Sequence, residues 1–122
     1  MDAAEMQEHC LAKPGAWVDH PWDPSHTVIK VGPGEAGKIF AFLGDAGVGV
    51  KGGPNRDVAD EWLHRYPDDA SVMRYIGRSG WNDLSWAGAI PDDELLEAVD
   101  ESYRLVVSKL PRKHRPEGWD SL

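Results

Sequence analysis

The sequence predicts a single α+β domain, a two-layer sandwich in which one curved antiparallel sheet packs against helices. Three observations predict it. Short segments rich in Val, Ile and Phe follow one another between turns that contain Gly or Pro. Three other segments carry apolar residues at steps of three and four, the period of an amphipathic helix. The 122 residues suit one domain, which at this size buries roughly 65% of the surface its unfolded chain exposes.

Residues 2–13 read as the opening helix, with Ala3, Met6, Cys10 and Leu11 on an apolar face, Asp2, Glu5 and Glu8 on another, and Pro14-Gly15 as its stop. Strand candidates follow at Ala16–Asp19, Thr27–Val31, Lys38–Leu43 and Val48–Lys51, separated by Pro24-Ser25, Gly32-Pro33-Gly34 and Gly44-Asp45. In the third, alternation puts Ile39, Ala41 and Leu43 on one side and Phe40 and Phe42 on the other, so both faces are apolar and the strand reads as central. A second helix fits Asn55 to Tyr66, with Val58, Ala59, Trp62, Leu63 and Tyr66 at helical spacing and Pro67 ending it. Val72–Ile76 and Trp81–Trp86 read as a hairpin joined by Gly77-Arg78-Ser79-Gly80. The last helix has Pro91 in its first turn, Asp92, Asp93 and Glu94 towards the positive end of its dipole, and a stripe of Leu95, Val99, Tyr103, Val106 and Leu110. The resulting order is α-β-β-β-β-α-β-β-α. Residues 1–111 form the domain, and 112–122 form a basic C-terminal tail expected to be partly mobile.

Composition narrows the function. Thirteen basic against 21 acidic residues give a net charge of −8, and phosphate backbones attract basic surfaces rather than acidic ones. From Lys109 onward the charge is +2, which leaves −10 for the rest. Any nucleic-acid contact must therefore use a local patch. No apolar run approaches the roughly 20 residues that cross a bilayer, and no membrane association is expected. The acidic start, Met1-Asp2-Ala3-Ala4-Glu5, lacks the pattern of a secretion signal. With Cys10 the lone cysteine, a cytoplasmic setting is expected.

The chemistry-bearing residues form no catalytic constellation. Cys10 has only His9 near it in sequence and reads as a buried structural thiol. His20, Asp23 and His26 are metal-capable, yet Pro21 and Pro24 interrupt them and no ligand spacing results, so the segment reads as a polar loop anchored by Trp17 and Trp22. Asp2, Glu5 and Glu8 read as a solvated helix stripe. Lys51-Gly52-Gly53-Pro54-Asn55 joins strand to helix without the GxxxxGK[ST] pattern, and reads as a tight turn with Asn55 capping. Two groups carry binding potential. Arg74, Tyr75, Arg78, Trp81 and Trp86 place basic and aromatic groups on one hairpin, a mixture that stacks bases and grips phosphate. Lys109, Arg112, Lys113, His114 and Arg115 form the densest basic segment.

From about Cys10 to Pro111 the chain resembles the MmcQ/YjbR family of small bacterial proteins. The resemblance is carried by Ala12-Lys13-Pro14-Gly15, Pro21-Trp22, Gly37-Lys38-Ile39-Phe40-Ala41, Val48-Gly49-Val50-Lys51 with Pro54, Tyr75, Gly80-Trp81 and, most specifically, the run from Ser102 to Pro111. It implies a fold like that of bacterial frataxin and the type III secretion chaperones, and DNA binding, the label such proteins commonly carry. The family's lysine before the second helix falls on Lys51, and its helix-end residues fall on Ser102, Tyr103, Lys109, Leu110 and Pro111. By analogy with frataxin, Asp2, Glu5 and Glu8 are the residues on which metal binding would rest.

The expected function is a non-enzymatic protein that binds nucleic acid, DNA in the first instance. Phosphate contacts are expected from Lys51, Arg56, Arg74, Arg78, Lys109, Arg112, Lys113 and Arg115, with Trp81 stacking on a base. The alternative is a protein-interaction or chaperone-like module that offers a sheet face or its tryptophans to a polypeptide. No catalytic residue, cofactor or metal is expected.

Overall fold

The computed structural model describes residues 1–121, so the last residue of the tail lies outside the description. In chain order the elements are α1 (Ala3–Leu11), β1 (Ala16–Asp19), β2 (Thr27–Val31), β3 (Lys38–Leu43), β4 (Gly47–Lys51), α2 (Arg56–Arg65), β5 (Ala70–Val72), β6 (Trp81–Ser85) and α3 (Asp92–Lys109). The six strands make one open antiparallel sheet in the order β1-β2-β3-β4-β6-β5. The chain leaves β4 through α2, lays β5 at the far edge, and returns β6 into the gap between them. Asp2 and Asn55 cap α1 and α2 by accepting the backbone N–H of Glu5 and Val58, at 2.9 and 3.0 Å. Pro91 sits just outside α3 in an extended conformation rather than in its first turn.

Two strand expectations are corrected. The segment Val72–Ile76 is not a strand: β5 ends at Val72, where pairing with Asn82 stops, and residues 73–80 form a loop. The β-like composition of this loop is overridden by side chains from elsewhere. Arg56 donates to the carbonyls of Gly77 and Trp81, and Lys51 donates to that of Ser79, at 2.8, 3.1 and 2.6 Å. Those carbonyls are drawn inward, and Tyr75 takes the left-handed φ of 67° on the way.

The second correction concerns the faces of β3. Opposite it, Ile29 pairs with Ala41 and Lys30 with Ile39, so Phe40 is the extra residue of a β-bulge. Alternation breaks there: Phe40 and Ala41 both face the helices, while Ile39 and Phe42 face the other way. Phe40 meets Tyr103 edge-on at 5.2 Å.

All three helices lie on one face. Met6 and Cys10 of α1 and Leu95, Val99, Tyr103 and Val107 of α3 are wholly buried with Ile29, Val31, Phe40 and Val50 of the sheet. Asn82, also wholly buried, donates to the Ala59 carbonyl at 2.9 Å and ties α2 to β6 on that side. Leu11 is 38% exposed, contrary to expectation, because it follows Cys10 by a rotation of about 100° and leaves the buried stripe. Ser102, buried in α3, donates to the Phe40 carbonyl and accepts from the Lys51 N–H, at 2.7 and 2.9 Å.

Over residues 112–121 the tail lies against the body. Arg115 donates to the Leu110 and Ser108 carbonyls, each at 2.9 Å, and so satisfies the C-terminal end of α3. Trp119 packs against the core cluster. Pro116 sits so close to Gly15, whose φ is +70°, that a β-carbon there would come within 2.5 Å of it.

Candidate functional site

The helices leave the second face of the sheet open, and the strand register says which residues it carries. Directly paired residues share a face. One row across the strands runs Trp17, Lys30, Ile39; the next runs Val28, Phe42, Gly49, Asp83, Ser71; a third pairs Lys51 with Trp81. Trp22, from the loop before β2, lies parallel to Phe42 at 6.4 Å, and Trp81 meets Phe42 edge-on at 5.5 Å. Trp22 is 63% exposed and Tyr75 is 96% exposed, an unusual state for side chains of this size.

These residues line a groove of about 1090 Å³ that runs off the end of the sheet onto the last turns of α3. Its walls are largely apolar: Ile39, Met73 and Ile76 from the sheet side, Leu105, Val106 and Leu110 from α3. Among the described residues its charged side chains are Lys30, Lys38, Lys51, Arg74 and Lys109, against the single acid Asp83. Lys30 is neutralised by Asp19 at 2.8 Å and lies over the Trp17 ring. The other four cations have no carboxylate at ion-pair distance among the described residues. Lys51 is held below the ordinary lysine pKa by burial first, and then by the charge of Lys109. Asp83 is held above the ordinary carboxylate pKa by partial burial.

The structure sorts the expected contact residues into three groups. Lys51, Arg74, Trp81 and Lys109 converge on the groove. Arg78, Arg112 and Lys113 are exposed but outside its lining. Arg56 and Arg115 have architectural partners instead. The Arg56 guanidinium binds Asp60 at 2.7 Å, the Gly77 and Trp81 carbonyls, and the side chain of Asn82; Arg115 caps α3. Lys30, Lys38, Phe42 and Trp22 were missed as groove residues. For the first three the signal was the cross-strand register, which a single strand does not contain; Trp22 comes from the loop before β2, and no register signal marks it. Trp86 parts company with Trp81: it follows the end of β6 and donates to the Asp45 carbonyl at 3.1 Å.

The remaining candidates are occupied locally. Burial raises the Cys10 thiol to about 12. His9 binds Asp100 at 2.7 Å, beside Lys13, which also pairs with Asp100. Asp23 accepts from the side chain and backbone of Ser25 and pairs with His26, which together hold it at about 2. Among the described residues no three His, Cys, Asp or Glu side chains gather as a metal cluster would. No described helix is long and apolar enough to cross a membrane.

The sequence profile of the YjbR family matches residues 11–105. The chain belongs to the YjbR family. It is 29% identical over 119 residues to YjbR of Escherichia coli K12, covering 94% of this chain and 95% of that one. The same figures hold for YjbR of E. coli O157:H7. The crystal structure of the Deinococcus radiodurans protein DR2400, described as a DUF419 domain, superposes with a TM-score of 0.83 over 93% of this chain and 85% of that one. At 20% identity this likeness speaks to the fold alone, which DR2400 has in common with the open six-stranded sheet described above.

Proposed function

We propose that this YjbR-family protein is a non-enzymatic binder of single-stranded nucleic acid, held on the open face of its sheet. One observation carries the reading. Lys51 from the end of β4 and Lys109 from the end of α3 line one groove with Trp22, Phe42 and Trp81, and neither has a carboxylate at ion-pair distance among the described residues. Two like charges held together cost free energy that an anion returns. Aromatic faces beside the anion site suit bases, which stack with little regard to sequence. A duplex keeps its bases stacked inside and offers only phosphate to a body that repels it. A single strand offers both groups.

The test is a fluorescence titration with single-stranded and duplex oligonucleotides across salt concentrations. If Lys38, Lys51, Arg74 and Lys109 each neutralise a phosphate, the logarithm of affinity falls against the logarithm of salt with a slope of roughly −3, at about −0.7 per contact. Lys51→Ala and Lys109→Ala each flatten the slope by about 0.7. Absence of binding at about 50 mM salt, or binding without a slope, removes the proposal.

A second reading rests on the apolar walls of the same groove: a polypeptide partner placing apolar side chains between Ile39, Ile76 and Leu110. Such a complex would bind almost independently of salt and would be weakened by Ile76→Ser rather than Lys109→Ala, so the same titration series separates the two.

A further inference from the structure

Resting on the nucleic-acid reading, we infer that the groove selects bases carrying an exocyclic amino group, guanine above all, through the carboxylate of Asp83. Among the described residues Asp83 is the only acid lining the groove, and it stands at the border with the second hollow, which Gly49, Ser71, Asp45, Asp68 and Asp69 line. It stands on the open face two residues along β6 from Trp81, so the two side chains project the same way about 7 Å apart. A base stacked on Trp81 therefore turns an edge towards Asp83. Across the strand on one side stands Gly49, which has no side chain to block the approach, and on the other the short Ser71. The Asp83 carboxylate itself leans over Gly49, beside the β-carbon of Phe42 and the terminal methyl of Met73, and the unbranched Met73 side chain moves aside at little cost.

The state of the carboxylate makes the case specific. Among the described residues no hydrogen-bond donor reaches it, and partial burial disfavours its charge. An acid so placed works against phosphate binding unless the ligand supplies donors. Guanine presents N1–H and N2–H₂ side by side, the parallel pair that a carboxylate accepts in bidentate fashion. Cytosine and adenine offer one amino group. Thymine and uracil offer a single N–H between two carbonyls, which the carboxylate repels, and leave it unpaired.

The experiment measures affinities of the full chain for oligothymidylates of about twelve nucleotides whose central base is guanine, hypoxanthine or thymine. Hypoxanthine keeps N1–H and lacks the 2-amino group. We expect guanine to bind about tenfold more tightly than thymine, with hypoxanthine between them. In Asp83→Asn the ranking collapses, and the all-thymine strand binds more tightly than it does to the native protein because a repelling charge is gone. Equal affinities for the three strands in the native protein overturn the inference while leaving the nucleic-acid reading in place, as does a guanine preference that survives Asp83→Asn. Failure of every strand to bind removes that reading and the inference with it. The native-protein comparison decides even if the variant does not fold.

Discussion

Arg56 was read in the sequence as a phosphate contact, and the structure makes it a clamp; replacing it separates those two roles. In Arg56→Ala, the wholly buried Asn82 loses the donor to its side-chain oxygen, which costs about 1–3 kcal/mol for an unsatisfied buried acceptor. The Gly77 and Trp81 carbonyls each lose one donor but keep the N–H of Gly80 and of Met73, at 3.0 and 3.1 Å, so together they add about 0.5 kcal/mol. The i,i+4 pair with Asp60 is open to solvent and adds about 0.5 kcal/mol. The total is about 3 kcal/mol, which for a domain of this size lowers the melting temperature by roughly 10 °C. Thermal and urea denaturation followed by circular dichroism measure it. Arg78→Ala, in the same loop but exposed and without a described partner, should stay within about 0.5 kcal/mol of the native protein. Below its melting temperature, Arg56→Ala should keep the salt slope of nucleic-acid binding, because no phosphate contact is lost. If it melts with the native protein and instead flattens the slope, the clamp is wrong and Arg56 belongs to the binding surface.

Three further outcomes follow from the packing. Ser102→Ala leaves the Phe40 carbonyl and the Lys51 N–H without their shared partner between α3 and the sheet, so stability in urea should fall by about 1–3 kcal/mol; a smaller loss would mean that the hydroxyl is dispensable there. With its pKa raised to about 12, Cys10 should resist thiol reagents at pH 8 and react fully once denaturant is added; rapid labelling of the native protein would contradict its burial. Asp100 titrates below the ordinary carboxylate value: burial opposes this, but hydrogen bonds from Lys13 and His9 outweigh it. Its contribution to stability is therefore complete above about pH 4, the unfolded value, and is lost as the pH falls through its lower folded pKa. Asp100→Asn should lower a stability–pH curve above pH 4, where the charge contributes, and flatten its acid limb below pH 4.

Most element boundaries were legible because Gly, Pro and capping residues punctuate them. Pro14-Gly15, Gly32-Pro33-Gly34 and Asn55 mark the ends of elements by the backbone conformations they allow, a local property. What local reading missed depends on contacts distant in sequence. Val72–Ile76 has the composition of a strand, but Lys51 and Arg56, some 20 residues earlier, pull carbonyls of the loop that follows inward. Alternation along β3 holds until the bulge at Phe40, which is defined only against β2. The site was half legible for the same reason. Lys51, Arg74, Trp81 and Lys109 were found from residue type, whereas Lys30, Lys38 and Phe42 reach the groove through register. Arg56 and Arg115 looked like free cations because residue type does not reveal the carbonyls that hold them.

The net charge also misleads, and the topology explains why. Lys38 opens β3, Lys51 closes β4 and Trp81 opens β6, so antiparallel pairing gathers them at one end of the sheet. Asp45, Asp68 and Asp69 line a second hollow at the opposite end. β4 has five residues, which at about 3.4 Å each sets the two ends roughly 15 Å apart. α3 points the same way, with Asp92, Asp93 and Glu94 in its first turn and Lys109 in its last; its 18 residues separate those charges by about 27 Å. At physiological salt the screening length is about 8 Å. Asp45, Asp68, Asp69, Asp92 and Asp93 thus lie about two to three screening lengths from the end where Lys51 and Lys109 stand, whereas Glu97 and Glu101 of α3 share a smaller hollow with Lys51 and Asp83 lies in the groove itself. A phosphate arriving there meets the balance of these near charges and only part of the total. At low salt, where screening reaches about 30 Å, the acidic end is felt again, so the gain in affinity on lowering salt should level off instead of following the slope set by phosphate contacts alone.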